Sequence, residues 1–88
     1  MISYEWVFEE TDEYGDIVDP MFGDTFKEVS QLKPEDKSND VHIALIRFEG
    51  DEDNGEDCRE YAYIKDGKLP VEFDDGYRVP KRFHAEVG

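Results

Sequence analysis

Carboxylates are the only chemical groups this chain supplies in quantity, and they come in two blocks. Glu9, Glu10, Asp12, Glu13, Asp16, Asp19 and Asp24 follow one another without an intervening base. Glu49, Asp51, Glu52, Asp53, Glu56 and Asp57 do the same further on. Clustered carboxylates can serve as a general acid and base, hold a hard cation, or attract a basic surface. Acid/base work needs a pair set apart by its environment, and here the pairs are too numerous for any one to stand out. Calcium needs a register: counted from Asp51, an EF-hand loop would want glycine sixth and glutamate twelfth, whereas Gly55 falls fifth, Glu56 sixth and Ala62 twelfth. No metal site and no cofactor are expected.

Other reactive residues are few. Cys58 is the one cysteine, which excludes an internal disulfide or a multi-thiolate zinc site and reads as a small buried hydrophobe in a strand. His42 and His84 have no nucleophile or second ligand at motif spacing, and His42 reads as a packed or edge histidine. No glycine-rich phosphate loop is present. In 88 residues there is little volume for a catalytic pocket, and no enzyme activity is expected.

Recognition of a basic surface remains. The chain carries 24 acidic against 10 basic residues, a net charge of -14, so nucleic acid and anionic membranes would repel it. Carboxylates at phosphate-like spacings would instead occupy a Lys/Arg-lined groove built for DNA or RNA. The expected contact residues are Glu9, Glu10, Asp12, Glu13, Asp16, Asp19, Asp51, Glu52, Asp53, Glu56 and Asp57, with Tyr14 as an aromatic anchor among them. Tyr61 and Tyr77, also beside acids, resemble such anchors too. The competing reading is a solvated acidic face that keeps a small domain soluble.

The elements that must position these groups follow from periodicity. Ile2, Tyr4, Trp6 and Phe8 alternate with Ser3, Glu5, Val7 and Glu9, predicting a half-buried strand with an aromatic inner face. Asp12 to Asp19 should turn the chain. Pro20 opens a stretch with Phe22, Phe26 and Val29 at helical spacing, predicting a short helix that ends near Leu32. Lys33 to Asp40 is a polar connector. Val41 to Phe48, apolar in both parities, predicts a central strand covered on both faces. An acidic loop over Glu49 to Asp57 should join it to a strand over Cys58 to Lys65. Asp66-Gly67 predicts a type I′ turn opening a second hairpin, and Pro70 places Lys68 to Phe73 at an edge or in a short excursion. Asp74-Asp75-Gly76 is another turn, and Pro80 opens a last helical turn with Phe83 and Val87 on one side. The expected fold is one α+β domain over residues 1–88: a small antiparallel sheet of three to four strands with one or two short helices.

The runs Asp-Glu-Asp-Asn-Gly from Asp51, Tyr-Ala-Tyr-Ile-Lys-Asp-Gly-Lys-Leu-Pro from Tyr61 and Val-Pro-Lys-Arg-Phe-His-Ala-Glu from Val79 resemble small uncharacterised proteins of bacteriophages and their hosts. Tyr-Glu-Trp and Tyr-Gly-Asp-Ile-Val-Asp near the start add to that likeness, which brings no catalytic motif. In size and acidity the chain is similar to phage anti-restriction and anti-CRISPR DNA mimics, a group defined by charge. That resemblance implies an inhibitor of a basic, nucleic-acid-binding host protein. The alternative is an acidic immunity or adaptor protein that binds a basic protein without copying DNA. With no signal-like start, no long apolar run and one cysteine, a cytoplasmic location is expected.

Overall fold

The computed structural model of the chain describes residues 1–51 and 56–88. Four strands, β1 (Ile2–Thr11), β2 (Ile17–Gly23), β3 (Asp40–Asp51) and β4 (Glu56–Tyr63), form one antiparallel sheet in the order β2-β1-β3-β4. Two short helices, α1 (Phe26–Ser30) and α2 (Lys81–Val87), complete a small α+β fold. β1 and β3 pair in unbroken register from Ile2 opposite Glu49 to Thr11 opposite Asp40.

Alternation on β1 divides the sheet into two unlike faces, because successive side chains of a strand point to opposite sides. One face carries Trp6 and Phe8 of β1, Leu45 of β3 and Ala62 of β4, and onto it pack Val29 of α1, Phe83 of α2, and Leu69, Phe73 and Val79 from the segment between β4 and α2. Trp6 is fully buried, with ring centroids 5.2 Å from Phe26 and 6.2 Å from Phe83. Its indole nitrogen finds no hydrogen-bond acceptor among the described residues. On the other face Val7, Ala44 and Ile46 are buried by Phe48, Tyr61 and Tyr63, all of them strand residues. The expectation that the central strand is covered on both sides is therefore corrected: helices and loops cover one face, and neighbouring side chains shield the other.

Three further expectations change. Pro20 to Phe22 belong to β2, paired with β1, rather than to a helix. The helix starts later, at a cap the sequence does contain: Thr25 accepts a hydrogen bond from the Glu28 amide (3.2 Å), and Glu28 accepts one from the Asp24 amide (3.0 Å). That is nearly the reciprocal capping box of Thr-x-x-Glu. Gly23, opposite Trp6, lets α1 approach the sheet, since a Cβ there would lie 3.1 Å from Val29 Cγ1. The turn after β1 is confined to Asp12–Asp16, leaving Ile17 onward free to pair. Glu49 to Asp51 and Glu56 to Asp57 continue β3 and β4 as paired backbone, so the described part of the expected acidic loop is strand.

Asp66 and Gly67 have φ of 52° and 76°, the positive values a type I′ turn requires. The expected second hairpin, however, shrinks to a single bridge between Lys65 and Lys68, because Pro70 two residues on has no amide to extend a ladder. Pro80 is the N-cap of α2, and Phe83 and Val87 face the core. Arg47 is buried on the helix-covered face, 3.2 Å from Glu49 and with its guanidinium 3.9 Å from the centre of the Tyr77 ring. Cys58 is exposed rather than buried. Among the described residues no helix is long and apolar enough to cross a membrane.

Trp6→Ala should destabilise the fold by about 3 to 5 kcal/mol, as large-to-small core changes do. Trp6→Phe should cost clearly less, because it keeps much of the volume and removes a buried donor that has no partner. Denaturant unfolding of both variants checks the ordering.

Candidate protein-binding surface

The register of β1 on β3 decides where the two acidic blocks stand. The end of β1 lies beside the start of β3, so the Asp12–Asp16 turn adjoins Asp40 and its preceding connector. The start of β1 lies beside Glu49, next to the β3–β4 junction. The Asp12–Asp16 turn and Glu49 therefore stand at opposite ends of the sheet, separated by the length of β1, roughly 30 Å at about 3.4 Å per residue, whereas β2 runs back along β1 and carries Asp24 to the Tyr4 end.

Within the first block the carboxylates do different work. Glu13 and Asp16 are exposed, as are Asp19 on β2 and Tyr14, which is 80% exposed. Asp12 organises the turn, its Oδ1 accepting from the amides of Tyr14 (2.9 Å) and Asp16 (3.0 Å). Glu10 is not a surface group at all. It is 3% exposed on the helix-covered face, and its carboxylate accepts from the Asn39 side chain and from the amides of Glu35 (3.0 Å) and Asp36 (3.4 Å). Its place among the contact residues is corrected: it anchors the polar connector. The Asn39 hydrogen bond foremost, with the two amides, holds Glu10 below its usual carboxylate value against the opposing effect of burial.

In the second block Asp51, Glu56 and Asp57 have paired backbones. Glu52 and Asp53 lie outside the described residues, as does most of the loop weighed for calcium. Among the described residues no three His, Cys, Asp or Glu side chains are grouped to hold a metal ion.

Between the two ends lies the face that no described helix or loop covers. Phe22 and Ile17 are 49% and 58% exposed there, Phe48, Tyr61 and Tyr63 are half-buried, and Glu5 and Glu9 stand among them. Tyr61 and Tyr63 stack at 5.8 Å, His42 meets Tyr63 edge-on at 6.4 Å, and the Arg59 guanidinium lies 5.2 Å from the Phe48 ring centre. Tyr63 on β4 reaches across β3 to donate its hydroxyl to Glu9 Oε1 at 2.7 Å. It can do so because its cross-strand neighbour is the small, fully buried Ala44. Burial first, then the bond to Glu9 and the nearby negative charge, push the Tyr63 phenol far above its usual value. Glu9 and Tyr61 were legible in the sequence as surface groups. Tyr63 and His42 were not, because only the pairing of β4 with β3 brings them to Glu9.

Sequence reasoning also missed a third acidic group. Glu60, on the helix-covered side of β4, is pushed above its usual value by burial and by Asp75 and Asp74, with Arg47 opposing. The cue was present in Asp74-Asp75, which the turn reading absorbed.

No protein-family model, no curated protein and no solved structure matches the chain. The surface itself is thus the ground for a functional reading. It offers carboxylates at two ends, aromatic rings between them, and a hydrogen bond tying the Glu9 carboxylate to the Tyr63 ring.

Two pH effects follow. Because the folded Glu10 value is depressed, its stabilisation is complete above the ordinary glutamate value near 4.5 and is lost as pH falls through the lower folded value. The stability gap between the native chain and Glu10→Gln should accordingly narrow on acidification, measured by thermal melts below about pH 4.5. Tyr63 has the opposite sign. Its folded value is raised, so its contribution is complete below its ordinary value of 10.0 and is lost as pH rises beyond it. Tyr63→Phe should cost about 1 kcal/mol at neutral pH and should blunt alkaline unfolding in the same melts.

Proposed function

We propose that the protein is an inhibitor that binds a basic, nucleic-acid-binding protein through its acidic surface and keeps nucleic acid out of that protein's groove. Phage-type inhibitors of defence complexes such as CRISPR or restriction enzymes represent this class, and a host cytoplasm is where it would act. One observation carries the reading. The β1–β3 pairing holds the acidic Asp12–Asp16 turn and Glu49 at opposite ends of the sheet, roughly 30 Å apart, close to one turn of duplex DNA, about 34 Å. A groove that spans one duplex turn would meet carboxylates near both of its ends and would gain the electrostatic steering that phosphates give it.

The aromatic content of the open face favours a second reading. Tyr61, Tyr63, Phe48 and Phe22 resemble the anchors of ordinary protein interfaces more than a phosphate array, as an immunity or adaptor protein would need. Competition separates the two. A partner captured from lysate at low salt and identified by mass spectrometry should lose this protein when its own DNA or RNA is added. A ternary complex of partner, protein and properly bound nucleic acid would reject inhibition by mimicry and leave the adaptor.

Charge removal tests the surface. Asp12→Asn, Glu13→Gln, Asp16→Asn and Asp19→Asn combined keep the turn-forming oxygen of residue 12. Asp51→Asn, Glu52→Gln, Asp53→Asn and Glu56→Gln form the matching set. Each set should slow association with the partner at low salt, while fold stability stays equal or rises as like-charge repulsion is relieved. Unchanged association rates for both sets would mark the acids as a solvated face.

A further inference from the structure

On the open face a cleft of about 270 Å³ is bounded by Glu9, Thr11, Ile17, His42 and Tyr63. Its walls come from all four strands: Glu9 and Thr11 from β1, Ile17 from β2, His42 from β3 and Tyr63 from β4. Each wall has a distinct chemical character. Glu9 supplies the only carboxylate, and no Lys or Arg lines the cleft to neutralise it. One oxygen, Oε1, is engaged by the Tyr63 hydroxyl. Oε2 accepts no hydrogen bond from the described residues. The Tyr63 and His42 rings stand perpendicular, at 90°, and both line the cleft. Ile17 gives an apolar side and Thr11 a hydroxyl.

We propose that this cleft is a receptor for a single arginine side chain presented by the basic partner. The proposal rests on the function proposed above and names the contact that its open face would make. A guanidinium is planar and weakly hydrated, stacks on aromatic faces and directs N–H donors at a carboxylate oxygen. An ammonium is a compact, strongly hydrated point charge that uses a flat wall less well. Charge complementarity selects the occupant: the chain is at -14 overall, the cleft holds an uncompensated carboxylate, and a second copy of the same chain would be repelled. The Tyr63 hydroxyl fixes the carboxylate in place, so little side-chain freedom remains to be lost on binding.

The test uses the full chain and two small probes, N-acetyl-arginine methylamide and N-acetyl-lysine methylamide, titrated while NMR shifts are followed residue by residue. The arginine probe should give saturable shifts at Thr11, Ile17, His42 and Tyr63. Its affinity should fall about tenfold or more in Glu9→Gln, in line with loss of one charge-assisted hydrogen bond, with shifts elsewhere confirming that the variant stays folded. The lysine probe should bind measurably more weakly. Shifts scattered over Glu13, Asp16 and Asp19 without saturation would overturn the receptor, and equal binding of both probes would overturn its assignment to arginine. The two proposals fail separately. If nucleic acid displaces the protein from its captured partner while the probe ignores the cleft, the receptor is wrong and inhibition stands. If the probe seats in the cleft but partner, protein and nucleic acid form one complex, inhibition is wrong and the receptor stands.

Discussion

The ten-pair register between β1 and β3, from Ile2 opposite Glu49 to Thr11 opposite Asp40, is the constraint on which the other features depend. A slip of one residue would turn every side chain of β1 to the opposite face, exposing Trp6 and Phe8 and burying Glu5 and Glu9. The hydrophobic gain from covering those two rings thus fixes the alignment, and the alignment in turn carries the acidic Asp12–Asp16 turn to one end of the sheet and Glu49 to the other. Charge is separated here as a by-product of aromatic burial. For a chain at -14, holding that turn and Glu49 apart by several Debye lengths removes most of their mutual repulsion at physiological salt, where that length is about 8 Å.

The two faces of the sheet solve different problems with the same strands. On the covered side the helices are too short to be stable alone, and they are held by ring contacts to Trp6, by the Thr25 cap of α1, and by the bond from the Phe26 amide to Glu86 at 3.1 Å. The two buried charged groups there are compensated, Glu10 by Asn39 and two amides and Arg47 by Glu49 and the Tyr77 ring, whereas the Trp6 indole nitrogen is not. On the open side none of the described residues forms a second layer, and Val7, Ala44 and Ile46 are buried by Phe48, Tyr61 and Tyr63 packed against them.

How much of this was legible in the sequence depended on how local the cause was. Alternation at Tyr4, Trp6 and Phe8, the apolar run through Ile46, and the Asp66-Gly67 turn act through neighbouring residues, and the strands and turn formed where they pointed. Phe22 misled because its spacing to Phe26 and Val29 matches a helix, whereas the pairing of Phe22 with Val7 is a tertiary event that helical spacing does not encode. Pro20 and Asp19 fall where the β1–β2 register shifts between Phe8 and Glu10, so a strand edge took a proline that had read as a helix start. The acidic surface was legible as charge but not as geometry. Glu10 looked like its neighbours in the block and is buried, while the Glu9 cleft needs residues from 9 to 63 brought together by three strand pairings.

Trp6 is the chain's one tryptophan, and its position makes it an optical device. It lies wholly beneath the helices, within ring contact of both α1 and α2, and on the side of the sheet away from Tyr61 and Tyr63. Its fluorescence therefore senses undocking of either helix, whereas an object laid on the open face is separated from it by the thickness of the sheet. A single intrinsic fluorophore thus distinguishes loss of the folded state from occupation of the surface, without any label attached to the protein.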